Sequence, residues 1–240
     1  MRNRPTSPQF SSKPDPHLPL WPRVLFVDWH GVLSRDIFWF SILNNRNHRF
    51  HSALDVATKK LFHERTSLVK AWMRGEADSA SVIRSLEVPL DRRCKNDFLI
   101  RRLREDCGKM RVQSTLLREL ASASSFVVLA TDNMDCFIEQ IHQQRDVSRT
   151  IDDVLCSSQL GVLKTENVRE FFGPWLRAHH LSFENALLID DTPSICKAFE
   201  ASGGQAIRFD SIHQAVDQLR HWLRTETTAS RSDIVNNISS

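Results

Sequence analysis

The sequence predicts an α/β protein whose doubly wound parallel sheet is interrupted, after its first strand, by an α-helical lobe. From about residue 115 onwards, short apolar runs alternate with helical patterns. Such alternation is typical of a parallel sheet with right-handed crossovers. The segment from Asp36 to Cys107 instead shows apolar residues at helical spacing and few strand-like runs. Together the two patterns indicate one sheet with a helical insertion.

The predicted elements can be placed in order along the chain. The first strand is Val24 to Val27, an unbroken apolar run that ends at Asp28. In the helical lobe, Asp78 and Ser79 can cap a helix that runs from Ala80 to Leu86. Beyond the lobe we expect helix Thr115 to Ala121, strand Phe126 to Ala130, helix Asn133 to Gln144, strand Asp153 to Cys156, helix Glu166 to His179, strand Ala186 to Asp190, helix Pro193 to Ala201, strand Gln205 to Phe209 and helix Ile212 to Leu223.

The composition is that of an ordinary globular protein. The 240 residues are 41% hydrophobic and 25% charged, with no run that suggests a membrane span and no apolar signal segment near the N-terminus. The five cysteines are an odd number without Cys-x-x-Cys spacing, so neither a zinc site nor a disulfide framework is indicated. We therefore expect a cytoplasmic protein with no membrane partner.

The chain is expected to divide into a sheet core, an inserted cap and two tails. Residues 1–22 and 226–240 are polar and are predicted to be a disordered arm and tail. The predicted core comprises 23–34 and 116–225, and the helical cap comprises 35–115. The basic excess behind the net charge of +3 lies in the cap segment, interleaved with acids. We interpret it as solvated helix faces and do not expect a nucleic-acid partner.

Polar residues stand where the predicted strands end. Asp28 follows the first strand, Thr131 the second, and the pair Asp190-Asp191 closes the run from Ala186. Ligands collect at the carboxyl ends of parallel strands, so these side chains are expected to share one crevice. Lys164, in a turn-like segment, adds a cation among the acids. This combination predicts a site for phosphate and a metal ion.

Four segments resemble, in order, the motifs of the haloacid dehalogenase-like (HAD) hydrolase superfamily. They are Val24 to Leu33, Thr131, Gly161 to Lys164, and Leu187 to Thr192 with two glycines beyond it. The insertion resembles the helical cap of the dehalogenase, epoxide-hydrolase N-domain and sugar-phosphatase branch. The resemblance implies a Rossmann-like core, hydrolysis of a small phosphorylated metabolite and a Mg²⁺ cofactor.

The resemblance also assigns a nucleophile and metal ligands. Asp28 would attack phosphorus and form an aspartyl phosphate, which splits hydrolysis into two easier steps. Mg²⁺ prefers oxygen ligands, and these would be Asp28, the backbone carbonyl of His30, Asp191 and Asp190. Asp191 is the first choice as direct ligand, and Asp190 is either a second ligand or a partner of Lys164.

Three further residues are implied around the phosphate. Thr131 would donate a hydrogen bond to a phosphoryl oxygen, and Lys164 would neutralise developing charge and restrain Asp28. Asn133 either caps the helix that follows it or contacts the substrate.

His30 departs from the family pattern at the position that matters most for catalysis. Phosphatases of the superfamily carry there a second Asp that acts as general acid and base. An imidazole can serve this role near neutral pH, but it is longer than a carboxylate. Two alternatives to an active phosphatase therefore stay open: a catalytically impaired protein that binds metal and ligand, and a metal-free dehalogenase-type hydrolase. Because Asp190 and Asp191 are both retained, we favour the metal-dependent reading.

Overall fold

The computed structural model describes residues 24–86, 88, 95–123 and 125–223. Their strands form one five-stranded parallel sheet in the order β3-β2-β1-β4-β5. The strands are β1 Val24–Val27, β2 Phe126–Thr131, β3 Asp153–Cys156, β4 Ala186–Asp190 and β5 Gln205–Arg208. The predicted parallel sheet is confirmed, with the first strand at its centre.

Helices cover both faces of the sheet and form the segment between β1 and β2. In chain order they are α1 Phe40–Leu43, α2 His51–Lys59, which continues into a π-helical turn at Lys60–Glu64, α3 Thr66–Met73, α4 Ser79–Arg84, α5 Lys95–Cys107, α6 Ser114–Ala121, α7 Asp135–Ile141, α8 Arg145–Thr150, α9 Ser157–Leu160, α10 Val168–Ala178, α11 Pro193–Glu200 and α12 at 212–223. The inserted segment is helical, as its periodicity predicts.

Alternate residues of the central strand point into two separate apolar clusters. Leu25 and Val27 belong to a large cluster that continues into the helices of the cap. Val24 and Phe26 face the other side, where Phe26 packs edge-on against Phe172 of α10 at 4.8 Å between ring centroids. All four side chains are fully buried. A strand buried on both faces must be continuously apolar, which explains the run that precedes Asp28.

The two connections between core and cap lie side by side. The Gln113 amide donates to the Leu33 carbonyl at 2.8 Å. The Arg111 backbone and guanidinium both donate to the buried carboxylate of Asp36, at 2.7 and 2.6 Å for the shortest bonds. This pairing holds the pKa of Asp36 below its usual value. The segment that leaves the core for the cap and the segment that returns from it therefore lie next to each other.

One predicted helix differs in the structure. The helix predicted from Asn133 to Gln144 is shorter in the structure, since α7 runs from Asp135 to Ile141, and a second helix, α8, follows after a turn. Asn133 stays outside the helix because its backbone N–H donates to the Ser157 hydroxyl at 2.9 Å and its side chain accepts from the Met134 amide. Asn133 therefore does not cap α7, and the first of its two predicted roles is wrong. The sequence did not indicate α8, in which only Val147 is buried.

The remaining boundaries shift by one or two residues at most in the core strands. Pro89, which is predicted to end the helix that runs to Leu86, lies outside the described residues, as do the arm 1–22 and the tail 226–240. Asp78 caps α4 as predicted, since its carboxylate accepts from the Ser81 amide. Within the described ranges, none of the helices is both long and apolar enough to cross a membrane.

Candidate active site

The parallel register brings the predicted polar residues to one edge of the sheet. Val27 is aligned with Leu129 on one side and Ile189 on the other. Asp28, the next residue, donates its amide to the Ile189 carbonyl at 2.9 Å. Asp28 consequently lies between the end of β2, where Thr131 stands, and the end of β4, where Asp190 stands.

Lys164 lies between two of the acids. Its ammonium is 2.9 Å from a carboxylate oxygen of Asp28 and 2.7 Å from one of Asp190. All three side chains are buried, and that of Asp190 completely. Burial opposes the charged form of the lysine, but its acidic neighbours outweigh this effect and raise the pKa of Lys164. Lys164 therefore remains a cation, and Asp190 is its closest partner.

Among the acids of the site, Asp28 has the pKa that burial raises most clearly. Desolvation raises its pKa to about 7, against the lowering effect of Lys164 and with a further raising effect of Asp190. Two hydrogen-bonding partners hold the carboxylate in place, namely Lys164 and the Trp29 amide, which donates at 2.7 Å. A bound cation would restore the ionised form of this carboxylate.

The carboxylates form a group that fits a divalent cation. One oxygen each from Asp28, Asp190 and Asp191 lies within 4.8 Å of the others, and Asp191 is exposed to solvent. Three acids against the single charge of Lys164 leave an excess of negative charge, and oxygen ligands are those that Mg²⁺ prefers. The predicted metal ligands are thus brought together.

The loop after Asp28 is shaped around the same point. Gly31 has a φ of +86°, and a Cβ at this position would overlap a carboxylate oxygen of Asp191. Only glycine permits this close approach. The backbone carbonyl of His30 accepts no hydrogen bond from the described residues. It is therefore free to act as the predicted oxygen ligand, and the residues present fit Mg²⁺.

The end of β2 supplies the polar groups on the other side of Asp28. Thr131 is buried, and the amide of Asn133 lies 3.5 Å from its hydroxyl. Asp132 accepts from the backbone amide of Lys164 at 2.8 Å, while desolvation raises its pKa. This bond accounts for an acid at a position where a free carboxylate would repel a phosphate. It ties the lysine loop to β2.

The side chain of His30 is exposed. Among the described residues, none forms a hydrogen bond with its imidazole. The neighbouring Trp29 is buried and packs edge-on against Phe137. His30 is thus placed at the site by its backbone, while its ring is not held in one orientation.

A cavity of about 510 Å³ opens over this edge of the sheet, between core and cap. The core contributes Trp29, His30, Asp132 and Asn133 to its wall. Most of the wall from the cap is apolar, and the residues are Ile37, Phe38, Leu43, Phe62, Met73 and Met110, with Asp36, Asp55, Thr58, Lys59 and His63 among them. Its size is that of a pocket for a small organic molecule.

The joint between cap and core depends on a residue that sequence reasoning missed. Asp135, at the start of α7, accepts hydrogen bonds from the Trp72 indole at 3.1 Å and from the backbone and hydroxyl of Ser79. On residue type alone, the candidates for substrate contact are Arg46, Arg49, Arg74 and Trp72. Of these, Trp72 is buried in this joint and Arg74 pairs with Glu166 at 2.8 Å. No local sequence pattern around Asp135 or Trp72 indicates that they join cap and core.

Comparisons with known proteins identify the fold. No protein-family model matches the sequence, and no curated protein sequence matches it significantly. Among solved structures, a predicted HAD-like family hydrolase from Porphyromonas gingivalis has a TM-score of 0.58 at 15% identity, over 82% of this chain and 97% of that one. A HAD family enzyme from Bacteroides thetaiotaomicron, in complex with magnesium and inorganic phosphate, has a TM-score of 0.55 at 13% identity, over 77% and 92%.

A dehalogenase is similar to the chain to the same degree. The 2-haloacid dehalogenase from Pseudomonas syringae pv. Tomato has a TM-score of 0.57 at 14% identity, over 85% of this chain and 98% of that one. The fold is therefore that of the HAD-like superfamily, with a helical cap. A dehalogenase and an enzyme in complex with magnesium and inorganic phosphate share it, so the chemistry must be argued from the site.

Proposed function

We propose that the protein is a cytoplasmic, Mg²⁺-dependent phosphatase that acts on a small phosphorylated metabolite through an aspartyl phosphate at Asp28. The observation that carries the proposal is the cluster of Asp28, Asp190 and Asp191 beside the buried Lys164. A bound Mg²⁺ would neutralise the phosphate and the acids together. Without a metal ion, the single charge of Lys164 would face two buried carboxylates and the nearby Asp191, which would be costly to keep.

The chain's own residues support a two-step transfer. A carboxylate oxygen of Asp28 forms a bond to phosphorus while the bond to the leaving oxygen breaks, and that oxygen takes a proton from His30 or from water. Water then attacks the phosphorus of the acyl phosphate and gives a proton to His30 or to solvent, while the bond from Asp28 to phosphorus breaks and leaves inorganic phosphate and the free carboxylate. Lys164 restrains Asp28, and Thr131 with Asn133 would donate to the phosphoryl oxygens.

The metal-free dehalogenase alternative is less well supported by the site. A metal-free site would have to keep Asp190 and the exposed Asp191 near Asp28 with Lys164 as the only cation among these four residues. Like charges at this distance oppose one another. The impaired-protein alternative draws on the unanchored ring of His30, and only a measurement of turnover separates it from an active phosphatase.

A phosphatase assay with a metal control tests the proposal. The purified protein is assayed with aryl and alkyl phosphates in millimolar Mg²⁺, then with a chelator, and in parallel with 2-chloropropionate. We expect phosphate release with Mg²⁺ and none after chelation. Chloride release that survives the chelator would replace the proposal by the dehalogenase alternative. Absence of any turnover, with Mg²⁺ still raising Tm, would support the impaired-protein alternative.

A further inference from the structure

The wall that the cap builds over the site is suited to an apolar ring. Phe38 and Phe62 lie nearly parallel, with planes 11° apart and centroids separated by 6.5 Å. Met73 and Met110 line the same cavity, and thioethers make favourable contacts with aromatic rings. Ile37, 46% exposed, adds an apolar side chain. Apolar surface left open to a cavity is stabilised when a ligand covers it.

Apart from His63, the polar side chains of this wall are already engaged by the protein. The Thr58 hydroxyl donates to the Leu54 carbonyl at 2.8 Å, and Asp55 pairs with Lys59 at 2.7 Å. Asp36 is held by Arg111. A sugar with many hydroxyls would find few free partners here, so desolvating it would be costly.

The charges of the wall disfavour a second anionic group. Of the described residues that line the cavity, Lys59 is the only lysine or arginine, and its ammonium group is paired with Asp55. The acids Asp36, Asp55 and Asp132 line the same space. A leaving group with a carboxylate or a second phosphate would meet like charge, which costs affinity.

Proton delivery to the leaving oxygen is also poorly organised. The His30 imidazole is exposed and is not held by a described hydrogen bond. A phenolic oxygen ionises near pH 10, so it can depart with less proton assistance than an aliphatic alkoxide. An aryl leaving group therefore fits both the wall and the unanchored histidine.

We propose that the site takes phosphate monoesters of apolar, ring-bearing alcohols, phenols above all, and selects against sugar phosphates and bisphosphates. This inference rests on the proposed function, because it places the phosphate at Asp28 and the leaving group in the cavity. It names the class of substrate that the cap wall selects.

The test compares leaving groups and measures binding separately from turnover. Values of kcat/KM are measured with Mg²⁺ for naphthyl phosphate, phenyl phosphate, a hexose phosphate and a hexose bisphosphate. Calorimetry then compares naphthylmethylphosphonate, which cannot be hydrolysed, with methylphosphonate. We expect naphthyl phosphate to exceed the hexose phosphate by about a hundredfold, since each apolar contact in a pocket is worth about tenfold or more. The naphthyl phosphonate should bind more tightly by about tenfold or more.

Substitutions in the cap wall test whether its residues cause the preference for naphthyl phosphate. Phe62→Ala should lower kcat/KM for naphthyl phosphate by about tenfold and leave the hexose phosphate within about twofold. Phe50→Ala is the matched control, because Phe50 lies in the same cap but packs against Phe98 and does not line the cavity. Ile37→Lys, at a half-exposed position, should raise kcat/KM for the hexose bisphosphate by about fivefold and lower kcat/KM for naphthyl phosphate.

Several outcomes would overturn the inference. They are a hexose phosphate that is hydrolysed as well as naphthyl phosphate, a Phe62→Ala variant that behaves like Phe50→Ala, or equal binding of the two phosphonates. Failure of the proposed function has a different signature. In that case no ester is hydrolysed, while tighter binding of the naphthyl phosphonate, weakened by Ile37→Lys, would still support an apolar cavity.

Discussion

The catalytic floor and the cap wall are neighbouring regions that are built in opposite ways. The floor consists of Asp28, Thr131, Lys164, Asp190 and Asp191, whose positions follow from the ends of β1, β2 and β4 and the loop after β3. Of its charged groups, Asp28, Lys164 and Asp190 are buried and paired at 2.7 to 2.9 Å, while Asp191 is exposed. The cap wall consists of the cap residues that line the cavity, most of them apolar and supplied by helices and their connections.

This difference suggests a division of labour. A buried charge tolerates almost no displacement, because an unpaired charge in a dry site is strongly destabilising. Apolar side chains can be exchanged for others of similar volume at modest cost. Changes in the floor should therefore affect all substrates alike, whereas changes in the wall should alter their ranking. The predictions below test the floor and the adjacent His30, from the largest expected effect to the smallest.

The largest effect is expected from Asp28→Asn. An amide does not attack phosphorus, so kcat should fall by at least about a thousandfold for every ester, with the fold unchanged by circular dichroism. Asp210→Asn is the control, since Asp210 is an exposed acid paired with Arg208. Residual activity above about a tenth of the parent rate would contradict the nucleophile assignment.

The next effect is expected from Lys164→Met, which leaves Asp28 and Asp190 buried without their cation. The free energy of unfolding should fall by about 3–5 kcal/mol in chelator, as for other broken buried pairs. Mg²⁺ should recover part of the loss. Urea unfolding at pH 8 measures both values, and Lys197→Met, at an exposed lysine, should change stability by less than about 0.5 kcal/mol. An unchanged midpoint for Lys164→Met would argue against the floor as described.

A smaller effect, in the opposite direction, is expected from His30→Asp. A short carboxylate at this position can deliver the proton that the unanchored imidazole delivers poorly, so kcat should rise by about tenfold or more. The gain should be larger for alkyl than for aryl phosphates, because an aryl leaving group needs less proton assistance. If His30→Asp and His30→Ala both slow the reaction by about tenfold, the imidazole is the proton shuttle and the prediction is wrong.

The smallest effect concerns pH and the metal-free fold. Asp28 has a pKa of about 7 in the folded state against 3.8 ordinarily, so between these values the folded state binds more protons than the unfolded state. Its contribution to stability therefore falls as pH rises across this window. Without Mg²⁺, the Tm of the parent relative to Asp28→Asn should drop by a few degrees between pH 5 and pH 8. Saturating Mg²⁺ should remove the drop, and a drop of equal size with the metal would contradict the explanation.

Most of the floor could be predicted from the sequence because each of its residues follows an apolar run or a turn. The order of strands, the helical insertion and the convergence of Asp28, Thr131, Lys164 and Asp190 depend on local patterns and on the geometry of parallel sheets. The free carbonyl of His30 and the close approach of Gly31 to Asp191 need coordinates, since they depend on the path of the loop.

The cap wall could not be predicted in the same way. Helical spacing shows which residues are apolar, but not which of them face the core of the cap and which face the cavity. Trp72 appeared to be a candidate for substrate contact, yet its indole is buried against Ser79 and Asp135. That joint is between residues more than fifty positions apart, and no local pattern encodes it.

The most direct measurement is the mass of the intact protein after acid quenching during turnover of naphthyl phosphate with Mg²⁺. The account predicts a fraction of the parent protein heavier by one phosphoryl group, a group that hydroxylamine releases as it does from acyl phosphates. This species should be absent from Asp28→Asn and from the parent in chelator. Phosphate release without any phosphorylated protein, or the same mass increase in Asp28→Asn, would contradict an aspartyl phosphate at Asp28.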